Sequence, residues 1–489
     1  MRKLSFFVLL LCVLLCSCTH PDIDRTLRNT QSPGFVYVQD DHFMLDGEPW
    51  FPLMLNYKPS FATVNDTLRI IPAYYYQSPS LAHDFQRIAN MGFNCVRICL
   101  DIVPEEKDFE ALYHAIEQMI DTAEQHQLKV MLLIKRPLDD NLIRYTEGLL
   151  QHLAGKSNLW AYDFFNEPLY FDEPELRNKM EAYQIVCRWR EMMNNFAPHQ
   201  LFTIGFAEPI EVFEWDPTIL PVDFVEVHTY HPLRVPSEMR WYSSNCTDRP
   251  WMVGETALPA DNDSVSYEYQ RQFLLQSYTL ARQYHAAGYG WWEYHECPDG
   301  VNFEAQFTGL VNNDNEYKPA VLELPTLMGK TIPTDNHQVP SNYYNMLGYD
   351  NIVLRGRVVD SKSRKGIKDA VVRGWTKDWI GMNTYTDENG DFTLYSNDIN
   401  IHFEVSAPGM NTVKFNRHNI QYHFTDKEAE KKYTFDNLPN QYLEYQSIDY
   451  KPFLETDSLN LDFNPKYFNQ YKIEGEMGEV RISKLANEQ

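Results

Sequence analysis

Residues 161–170 read AYDFFNEPLY, an apolar and aromatic run that ends in Asn166, Glu167 and Pro168. Such a run predicts either a helix cap or a buried strand that carries an acid to a site. Similar apolar runs recur between residues 50 and 325. They are FPLMLNY (51–57), FNCVRICL (93–100), KVMLLIK (129–135), LFTIGF (201–206), VDFVEVH (222–228), WMVGE (251–255) and GYGWWEY (288–294). Segments with the period of a helix separate these runs.

Eight continuous apolar strands that alternate with helices predict a parallel sheet whose outer face is covered by the helices. Eight such units over about 275 residues match an α/β fold of the (β/α)8 TIM barrel type, which we assign to residues 36–327. A doubly wound open sheet is the alternative. The link between the fifth and sixth runs, EPIEVFEWDPTILP (208–221), is short and contains proline, so we expect a degenerate helix there.

The C-terminal third has a different pattern. Residues 328–349 have the composition of a linker, and alternating apolar residues with an Asn-Gly turn then predict a small all-β, Ig-like sandwich over residues 350–420. This segment resembles the carboxypeptidase regulatory-like domain through Gly356, Val358, Asp360, Ala370, Val371, 386–390, Phe392 and Gly409. The resemblance implies a spacer. Residues 421–489 are acidic and rich in tyrosine, and no element is assigned to them.

The N-terminus has the pattern of an export signal. Arg2 and Lys3 precede an apolar run that is too short to span a membrane, and the run closes near Cys18. This end resembles a bacterial lipobox of the Bacteroidetes type. The resemblance implies a signal peptide over 1–18, a lipid on Cys18, a tether over 19–35 and attachment to a membrane of the cell envelope, on its surface or periplasmic face. An ordinary cleaved signal is the alternative.

Composition narrows the functional classes. The chain carries 43 Lys and Arg against 68 Asp and Glu, and its net charge of -25 repels polyanions and argues against nucleic acid as a partner. Outside the signal region the cysteines are odd in number and lack zinc spacing, so we expect no disulfide framework and no metal site. Neither a phosphate-binding glycine loop nor a dinucleotide fingerprint occurs, so no cofactor is expected.

Two glutamates end barrel strands. Glu167 ends the fourth predicted strand and Glu255 the seventh, and the carboxyl ends of barrel strands form the rim where catalytic groups lie. Strands four and seven face each other across a ring of eight. A lone glutamate at a strand end is more often a helix cap or an ion-pair partner. Two facing carboxylates, however, are the minimum set for breaking a glycosidic bond.

Other polar residues follow the predicted strands at the same rim. Arg97 on the second strand is placed to hold a carboxylate ionised. Asn166 is placed to donate a hydrogen bond to a sugar 2-hydroxyl. His228 and Tyr230, after the sixth strand, are placed to orient the two acids. Each of these residues also has a structural interpretation, namely ion pairing, a turn or a satisfied rim histidine.

Aromatic residues at the rim predict sugar-stacking surfaces. Trp291 and Trp292 end the eighth strand, and Tyr57 ends the first. Because neighbours on a strand face opposite sides, core packing explains one of the two tryptophans at most. Further rim aromatics that would line several sugar subsites are Tyr74, Tyr75, Tyr76, Tyr170, Phe171, Trp215, Trp241, Tyr242 and Tyr294.

In this order, the motifs GFNCVRI, FFNEP, VHTY, VGET and WW resemble clan A of the retaining glycoside hydrolases, close to family five (cellulases, mannanases and related β-glycanases). The resemblance implies Glu167 as general acid/base and Glu255 as nucleophile, with their carboxyl groups about 5 to 5.5 Å apart. One departure stands out. Family-five enzymes usually carry a histidine after the third strand, where this chain has Lys135 and Arg136.

The acidity of the chain favours a neutral β-linked glycan, of the β-glucan or mannan type, as the substrate. An exo-acting β-galactosidase or β-mannosidase is one alternative, because loop shape decides between endo and exo action. A glycan-binding lipoprotein without catalytic activity is another, although both glutamates and their partners are intact.

Overall fold

The computed structural model describes residues 32–65, 67–100, 102–172, 177–232, 234–330, 332, 352–375, 381–396, 402–432 and 472–485. The predicted signal peptide, the lipidation site Cys18, nearly all of the tether and most of the linker lie outside these residues. Among the described residues, no helix combines the length and apolarity that a bilayer crossing requires.

The predicted barrel is confirmed. Eight parallel strands pair in chain order, and the eighth pairs with the first, so the sheet closes and the open-sheet alternative is excluded. Each predicted apolar run contains one strand. The strands are Leu53–Tyr57, Cys95–Leu100, Lys129–Ile134, Leu159–Asn166, Leu201–Phe206, Val225–His228, Trp251–Glu255 and Tyr289–Trp291.

Helices cover the outside of the barrel. The α-helices of the barrel region are Leu81–Met91, Phe109–Gln125, Asp140–Leu153, Pro168–Phe171, Lys179–Phe196, Val235–Asn245, Tyr267–Gln283, Phe303–Phe307 and Leu324–Leu327. Short 3-10 helices are Tyr74–Tyr76, Glu106–Asp108, Pro209–Phe213 and Pro319–Leu322. Several helices begin at a side-chain cap: the oxygens of Ser80, Asp139, Asn178 and Ser266 each accept a backbone N–H of the first turn.

Short strands lie at both ends of the barrel. Val36–Gln39, His42–Leu45 and Glu48–Pro49 form a small sheet at the amino-terminal end. Its Phe43 packs edge-on against Trp160 and Phe224, with ring centroids 5.2 and 5.0 Å away. This apolar contact closes the barrel interior at its amino-terminal end. At the opposite end, the hairpin Pro59–Val64 and Thr67–Pro72 follows the first strand.

The fifth unit lacks an outer α-helix, as its short proline-containing link predicts. Only the 3-10 helix Pro209–Phe213 stands there, and the C-terminal sandwich packs onto it. Thr412 donates to the carbonyl of Phe213 at 2.7 Å, and the backbone N–H of Gly409 donates to Asp216 at 2.9 Å. The sandwich therefore takes the place of the missing helix instead of standing apart as a spacer.

The sandwich consists of two four-stranded sheets. One sheet has the order Asp391–Ser396, Ile352–Asp360, Ile473–Ile482 and Gln421–Phe424; the other has the order Gly381–Tyr385, Val371–Trp375, His402–Ser406 and Val413–Asn416. The short helices Arg417–Asn419 and Lys427–Lys432 complete this region.

The first sheet extends beyond the predicted range of 350–420. Strand Ile473–Ile482 lies at its centre, parallel to Ile352–Asp360. The pairing register shifts at Met477, between Glu476 and Gly478. A bulge of this kind interrupts the two-residue alternation that marks a strand in sequence. The strand was therefore not recognisable from its pattern.

Lys179 provides the first testable prediction because it joins the barrel to the sandwich. Its buried ammonium lies 2.9 Å from Asp216 and donates to the carbonyl of Ala407 at 3.0 Å. Lys179→Met leaves Asp216 buried without its cation, so we expect a loss of about 3 kcal/mol in the free energy of unfolding, measured by urea denaturation.

The matched control is Lys330→Met, which removes the exposed ion pair with Glu323. Exposed pairs contribute about 0–1 kcal/mol. Equal losses for the two variants would contradict the joining role of Lys179.

Candidate active site

Glu167 and Glu255 converge at the rim of the barrel. One oxygen of each carboxylate and a ring nitrogen of His228 all lie within 4.8 Å of one another. The side chain of Glu167 is 17% exposed and that of Glu255 is 5% exposed. The two acids thus share one site, which is open on the side of Glu167.

The backbone at Glu167 directs its side chain into this site. Its φ is 50°, in the left-handed region that residues other than glycine seldom adopt, and such a conformation costs about 1–3 kcal/mol. The Glu167 N–H donates to the carbonyl of Gly205 at 2.7 Å. The carboxylate makes no cap hydrogen bond to the following helix, and instead Oε1 lies 3.0 Å from Nδ1 of His228. Of the two interpretations of AYDFFNEPLY, the strand that carries an acid to a site is therefore the one observed.

Arg97 lies fully buried at the centre of the site. Nη1 donates to Oε1 of Glu255 at 2.5 Å and to Oδ1 of Asn56 at 2.9 Å. Nη2 donates to Asp163 at 2.6 Å and to Oδ1 of Asn166 at 2.8 Å. The guanidinium therefore connects the second strand to the first, fourth and seventh strands and fixes the position of Glu255.

Glu255 is held as a carboxylate. Its second oxygen accepts a hydrogen bond from the hydroxyl of Tyr230. Burial alone raises the pKa of Glu255, but the charges of His228 and Arg97 and the hydrogen bond from Tyr230 outweigh burial, and the pKa lies below its ordinary value. An ionised and positioned carboxylate has the properties of a nucleophile.

His228 is a buried cation between the two acids. Nδ1 lies 3.0 Å from Glu167 and 3.6 Å from Glu255, and Nε2 lies 3.8 Å from Glu226. Burial disfavours the charged ring, but these three carboxylates outweigh it and raise the pKa of His228 to about 10. The ring is therefore an imidazolium at neutral pH.

Three residues of this network were missed by the sequence analysis: Asn56, Asp163 and Glu226. Each lies inside a predicted apolar strand and is fully buried. For Glu226 a signal was available, namely a polar side chain two residues before a site residue, since alternate residues of a strand face the same side. Glu226 stands two residues before His228 in VEVH.

Glycines on neighbouring strands make room for the network. A Cβ at Gly205 would lie 2.8 Å from the ring of His228 and 3.0 Å from Asp163. A Cβ at Gly254 would lie 2.1 Å from Glu226. The fifth and seventh strands therefore carry no side chain where the buried charges meet.

Two predicted stacking residues are corrected by the structure. Trp291 is fully buried, packs against Phe273, and donates Nε1 to the carbonyl of Thr308 at 3.1 Å. Tyr57 is also fully buried, and its hydroxyl donates to Asp84 at 2.6 Å. Neither ring can reach a sugar. Trp292 is only half-buried, so it is the tryptophan that remains accessible.

The other predicted rim aromatics divide in the same way. The fully or almost fully buried ones are Tyr76, Trp215, Trp241, Tyr242 and Tyr294. Tyr74, Tyr170 and Phe171 are 72%, 44% and 54% exposed, respectively, and Tyr75 is half-buried. Fewer rings are therefore available for sugar subsites than the sequence suggests, because several of them fill the space between the barrel and its loops.

The residues that replace the expected histidine after the third strand support the loop that carries Glu167. The guanidinium of Arg136 lies 4.7 Å from the centre of the Phe165 ring and donates to the carbonyl of Phe171. Arg136 thus contacts the chain both before and after Glu167 and stabilises this loop.

The sandwich reaches the rim beside Glu167. Glu208, after the fifth strand, lies 3.4 Å from the hydroxyl of Tyr170, pairs with Arg234, and lies 3.4 Å from the amide nitrogen of Asn383 in the sandwich. The open side of the site is therefore bordered by barrel loops together with the sandwich.

Metal-ligand geometry occurs twice among the described residues: in Glu167, His228 and Glu255, and in the surface group His114, Glu117 and His152. In the first group both oxygens of Glu255 already accept hydrogen bonds, from Arg97 and Tyr230. A divalent ion there would have to share Glu255 with the Arg97 cation, so the donor set suits charge pairing better than metal coordination.

No family model and no curated protein matches the sequence. Solved structures with a similar fold include an exo-β-1,4-mannosidase from Opitutaceae bacterium strain TAV5, with 12% identity, a TM-score of 0.49, and coverage of 78% of this chain and 90% of that one. An endo-1,4-β-mannanase from Eisenia fetida has 16% identity, a TM-score of 0.42, and coverage of 61% and 96%.

A calcium-binding mutant of Bacteroides uniformis β-glucuronidase 2 has 15% identity and a TM-score of 0.44. The match covers 78% of this chain and 46% of that one, so this chain spans less than half the length of that protein. Because all these identities are low, the chemistry of this chain has to be argued from its own side chains.

The raised pKa of His228 predicts a pH-dependent contribution to stability. With a pKa of about 10 in the folded state and an ordinary value of 6.5, this contribution is complete below about pH 6.5 and is lost as the pH rises toward 10. The difference in free energy of unfolding between the wild type and His228→Asn should therefore shrink between pH 7 and 10, by at most about 1.4 kcal/mol per pH unit.

The control is His231→Asn, measured by thermal denaturation over the same pH range. Burial lowers the pKa of His231 to about 3, so this ring is neutral throughout and its contribution should stay constant above pH 7. Parallel pH curves for the two variants would rule out a buried imidazolium at His228.

Proposed function

We propose that this protein is a retaining glycoside hydrolase that cleaves β-linked glycans by double displacement. The observation that supports it most strongly is the convergence of Glu167 and Glu255, whose nearest carboxylate oxygens lie within 4.8 Å. Retaining enzymes place their two carboxyl groups about 5–5.5 Å apart, whereas inverting enzymes leave room for a water molecule at about 6.5–9.5 Å.

The first step uses the two acids in different protonation states. Protonated Glu167 donates its proton to the glycosidic oxygen while the carboxylate of Glu255 attacks the anomeric carbon. The bond between that carbon and the leaving oxygen breaks, and a covalent glycosyl ester forms on Glu255. Arg97 and Tyr230 keep Glu255 ionised for this attack, and His228 lies within 3.0 Å of Glu167, close enough to exchange a proton with it.

The second step reverses the roles. Glu167, now a carboxylate, removes a proton from water as the water oxygen attacks the anomeric carbon and displaces Glu255. Each step inverts the configuration at the anomeric carbon, so the product retains the configuration of the substrate. The exposure of Glu167 is consistent with water entering from its side once the leaving group has departed.

For the substrate, we infer a neutral β-linked glycan of the β-glucan or mannan class. The acidity of the chain disfavours polyuronates, and half-buried Trp292 offers a ring face to a pyranose. A glycan-binding protein without catalysis is disfavoured by the preserved contacts of Arg97, Tyr230 and His228 with the two acids, since binding alone requires none of them.

We further propose that Cys18 carries a lipid that holds the enzyme on a membrane of the cell envelope. The support is the lipobox-like end of the N-terminal apolar run and the polar segment after it.

Cys18→Ala should move the full-length protein from the membrane fraction to the soluble fraction, measured by fractionation and blotting. Cys12→Ala, within the apolar run, is the control and should leave the protein in the membrane fraction. An unchanged distribution of Cys18→Ala would refute the anchor.

The roles of the two acids can be distinguished with azide and an aryl β-glycoside that has a good leaving group. Glu255→Ala should remove turnover, and azide should restore it with an α-glycosyl azide as product, because azide takes the place of the nucleophile. Glu167→Ala should slow hydrolysis by about 10²- to 10⁴-fold and give the β-azide, because the covalent ester still forms.

Glu323→Ala, at a partly exposed residue that forms ion pairs with Arg271 and Lys330, is the control and should retain wild-type rates with no azide product. The anomers are assigned by proton NMR. An active Glu255→Ala variant, or the opposite pair of anomers, would disprove the assignment.

A further inference from the structure

A second pair of charged side chains lies at the rim of the barrel. Lys58 follows the first strand and Glu293 follows the eighth, and Nζ of Lys58 lies 3.2 Å from Oε1 of Glu293. The side chain of Lys58 is 34% exposed, whereas that of Glu293 is 1% exposed. The pair therefore has a buried acid and an ammonium group that reaches the surface of the site.

Glu293 has unused capacity to accept hydrogen bonds. Neither of its oxygens has a partner with hydrogen-bond geometry among the described residues. Burial raises the pKa of Glu293 to about 7, with Lys58 opposing the shift. A buried carboxyl group of this kind is normally satisfied by the fold or by a ligand.

A neighbouring buried pair, Glu296 and Lys318, shows how the fold satisfies such groups. Their charged atoms lie 2.7 Å apart, although Oε1 of Glu296, like both oxygens of Glu293, lacks a hydrogen bond of good geometry within the described part of the chain; the difference is that Oε2 of Glu296 accepts the backbone N–H of Asn313 at 2.9 Å. Lys318 donates to the carbonyls of Ala260 and Phe307 at 2.8 and 2.9 Å. Lys58 has no comparable carbonyl partners among the described residues. The pair of Lys58 and Glu293 therefore retains more hydrogen-bonding capacity for a ligand than the pair of Lys318 and Glu296.

The pair of Lys58 and Glu293 is adjacent to the nucleophile. Nη1 of Arg97, which holds Glu255, lies 3.9 Å from the sulfur of Cys99. The charges of Lys58, Glu293 and Glu255 all act on Cys99. Cys99 therefore lies near both the guanidinium that holds Glu255 and this second pair.

Trp292 completes the group. Nζ of Lys58 lies 4.7 Å from the centre of the Trp292 ring, which is only half-buried. The ammonium therefore lies over the ring and beside the carboxyl of Glu293. A pyranose that stacks on the accessible part of this ring would have its hydroxyl groups next to the ammonium and, through it, next to the carboxyl. The ring would cover the C–H face of the sugar, and charged groups make strong hydrogen bonds to hydroxyls.

The mechanism fixes which part of the sugar this would be. The anomeric carbon must face Glu255, and the 2-hydroxyl must lie near Asn166 on the fourth strand. The rest of the ring then extends toward the sector of the first, second and eighth strands. Lys58, Cys99 and Glu293 occupy that sector, so the 3- and 4-hydroxyls are the groups that approach them.

We propose that Lys58 and Glu293 bind two neighbouring hydroxyl groups of the sugar that stacks on Trp292, and that they thereby select the glycone of the substrate. This inference rests on the proposed glycosidase function. The carboxylate accepts hydrogen bonds from the hydroxyls, and the ammonium donates to a hydroxyl oxygen. A neutral diol matches the pair, whereas a sugar carboxylate in the same place would meet Glu293.

The test uses 2,4-dinitrophenyl β-glycosides of glucose, mannose and galactose, and then the 3-deoxy and 4-deoxy analogues of the one that the wild type cleaves fastest. Glu293→Gln should lower kcat/KM on the parent glycoside by about 10- to 100-fold, the range for a lost hydrogen bond to a charged group. On the analogue that lacks the bound hydroxyl, the same substitution should change kcat/KM by less than about 3-fold, since no bond remains to be lost.

Lys58→Met repeats the comparison with a partly exposed residue, in case Glu293→Gln fails to fold. Glu296→Gln is the control and should change kcat/KM by the same factor on the parent and on both analogues. An equal loss on parent and deoxy substrates for Glu293→Gln and Lys58→Met would show a purely structural role and overturn the inference. A folded wild type that cleaves none of these glycosides, nor the 2,4-dinitrophenyl β-cellobioside and β-mannobioside that an endo-acting enzyme would require, would instead refute the proposed function, and the inference with it.

Discussion

The buried guanidinium of Arg97 is the constraint on which the rest of the site depends. Three carboxylates, those of Asp163, Glu226 and Glu255, lie within 3.3 Å of it. One cation cannot balance three buried anions, and burial raises the pKa of Asp163 to about 6 against the opposing charge of Arg97. The imidazolium of His228 supplies the second positive charge. The two cations together therefore keep Glu255 ionised in a place where burial alone would protonate it.

The same buried charges also constrain the backbone around them, namely where glycine is required and which conformation Glu167 adopts. Gly205 leaves space for His228 and Asp163 and accepts the N–H of Glu167, so it serves both the network and the acid. Gly254 leaves space for Glu226 directly before Glu255. The left-handed backbone of Glu167 persists because its N–H, its carbonyl and its carboxylate are each held by a separate partner. Backbone strain at the acid and the glycines on the fifth and seventh strands thus have one common cause.

The sequence was sufficient for the barrel because each strand is a continuous apolar run, and for the two acids because strand number places them on opposite sides of the ring. It was insufficient wherever tertiary packing overrides local pattern. Trp291 ends its strand and faces the outer layer, whereas Trp292 lies beyond the last strand residue, where alternation no longer applies. Tyr57 is buried because its hydroxyl donates a hydrogen bond to Asp84, which lies 27 residues later in the sequence. The missing fifth helix was predicted from its short link, but the sequence pattern did not show that the sandwich packs in its place.

The two sides of the site differ in a way that suits double displacement. Around Glu255 the barrel is closed by Arg97, Tyr230 and the neighbouring pair of Lys58 and Glu293, whereas Glu167 faces an opening bordered by Glu208 and the sandwich. Under the proposed mechanism, the sugar that becomes esterified must stay fixed through both steps, which requires enclosure. The leaving group must depart and water must enter on the side of the acid, which requires an opening. Because Asn383 of the sandwich contacts Glu208 on the open side, that mechanism predicts that the sandwich influences the leaving-group side of the site.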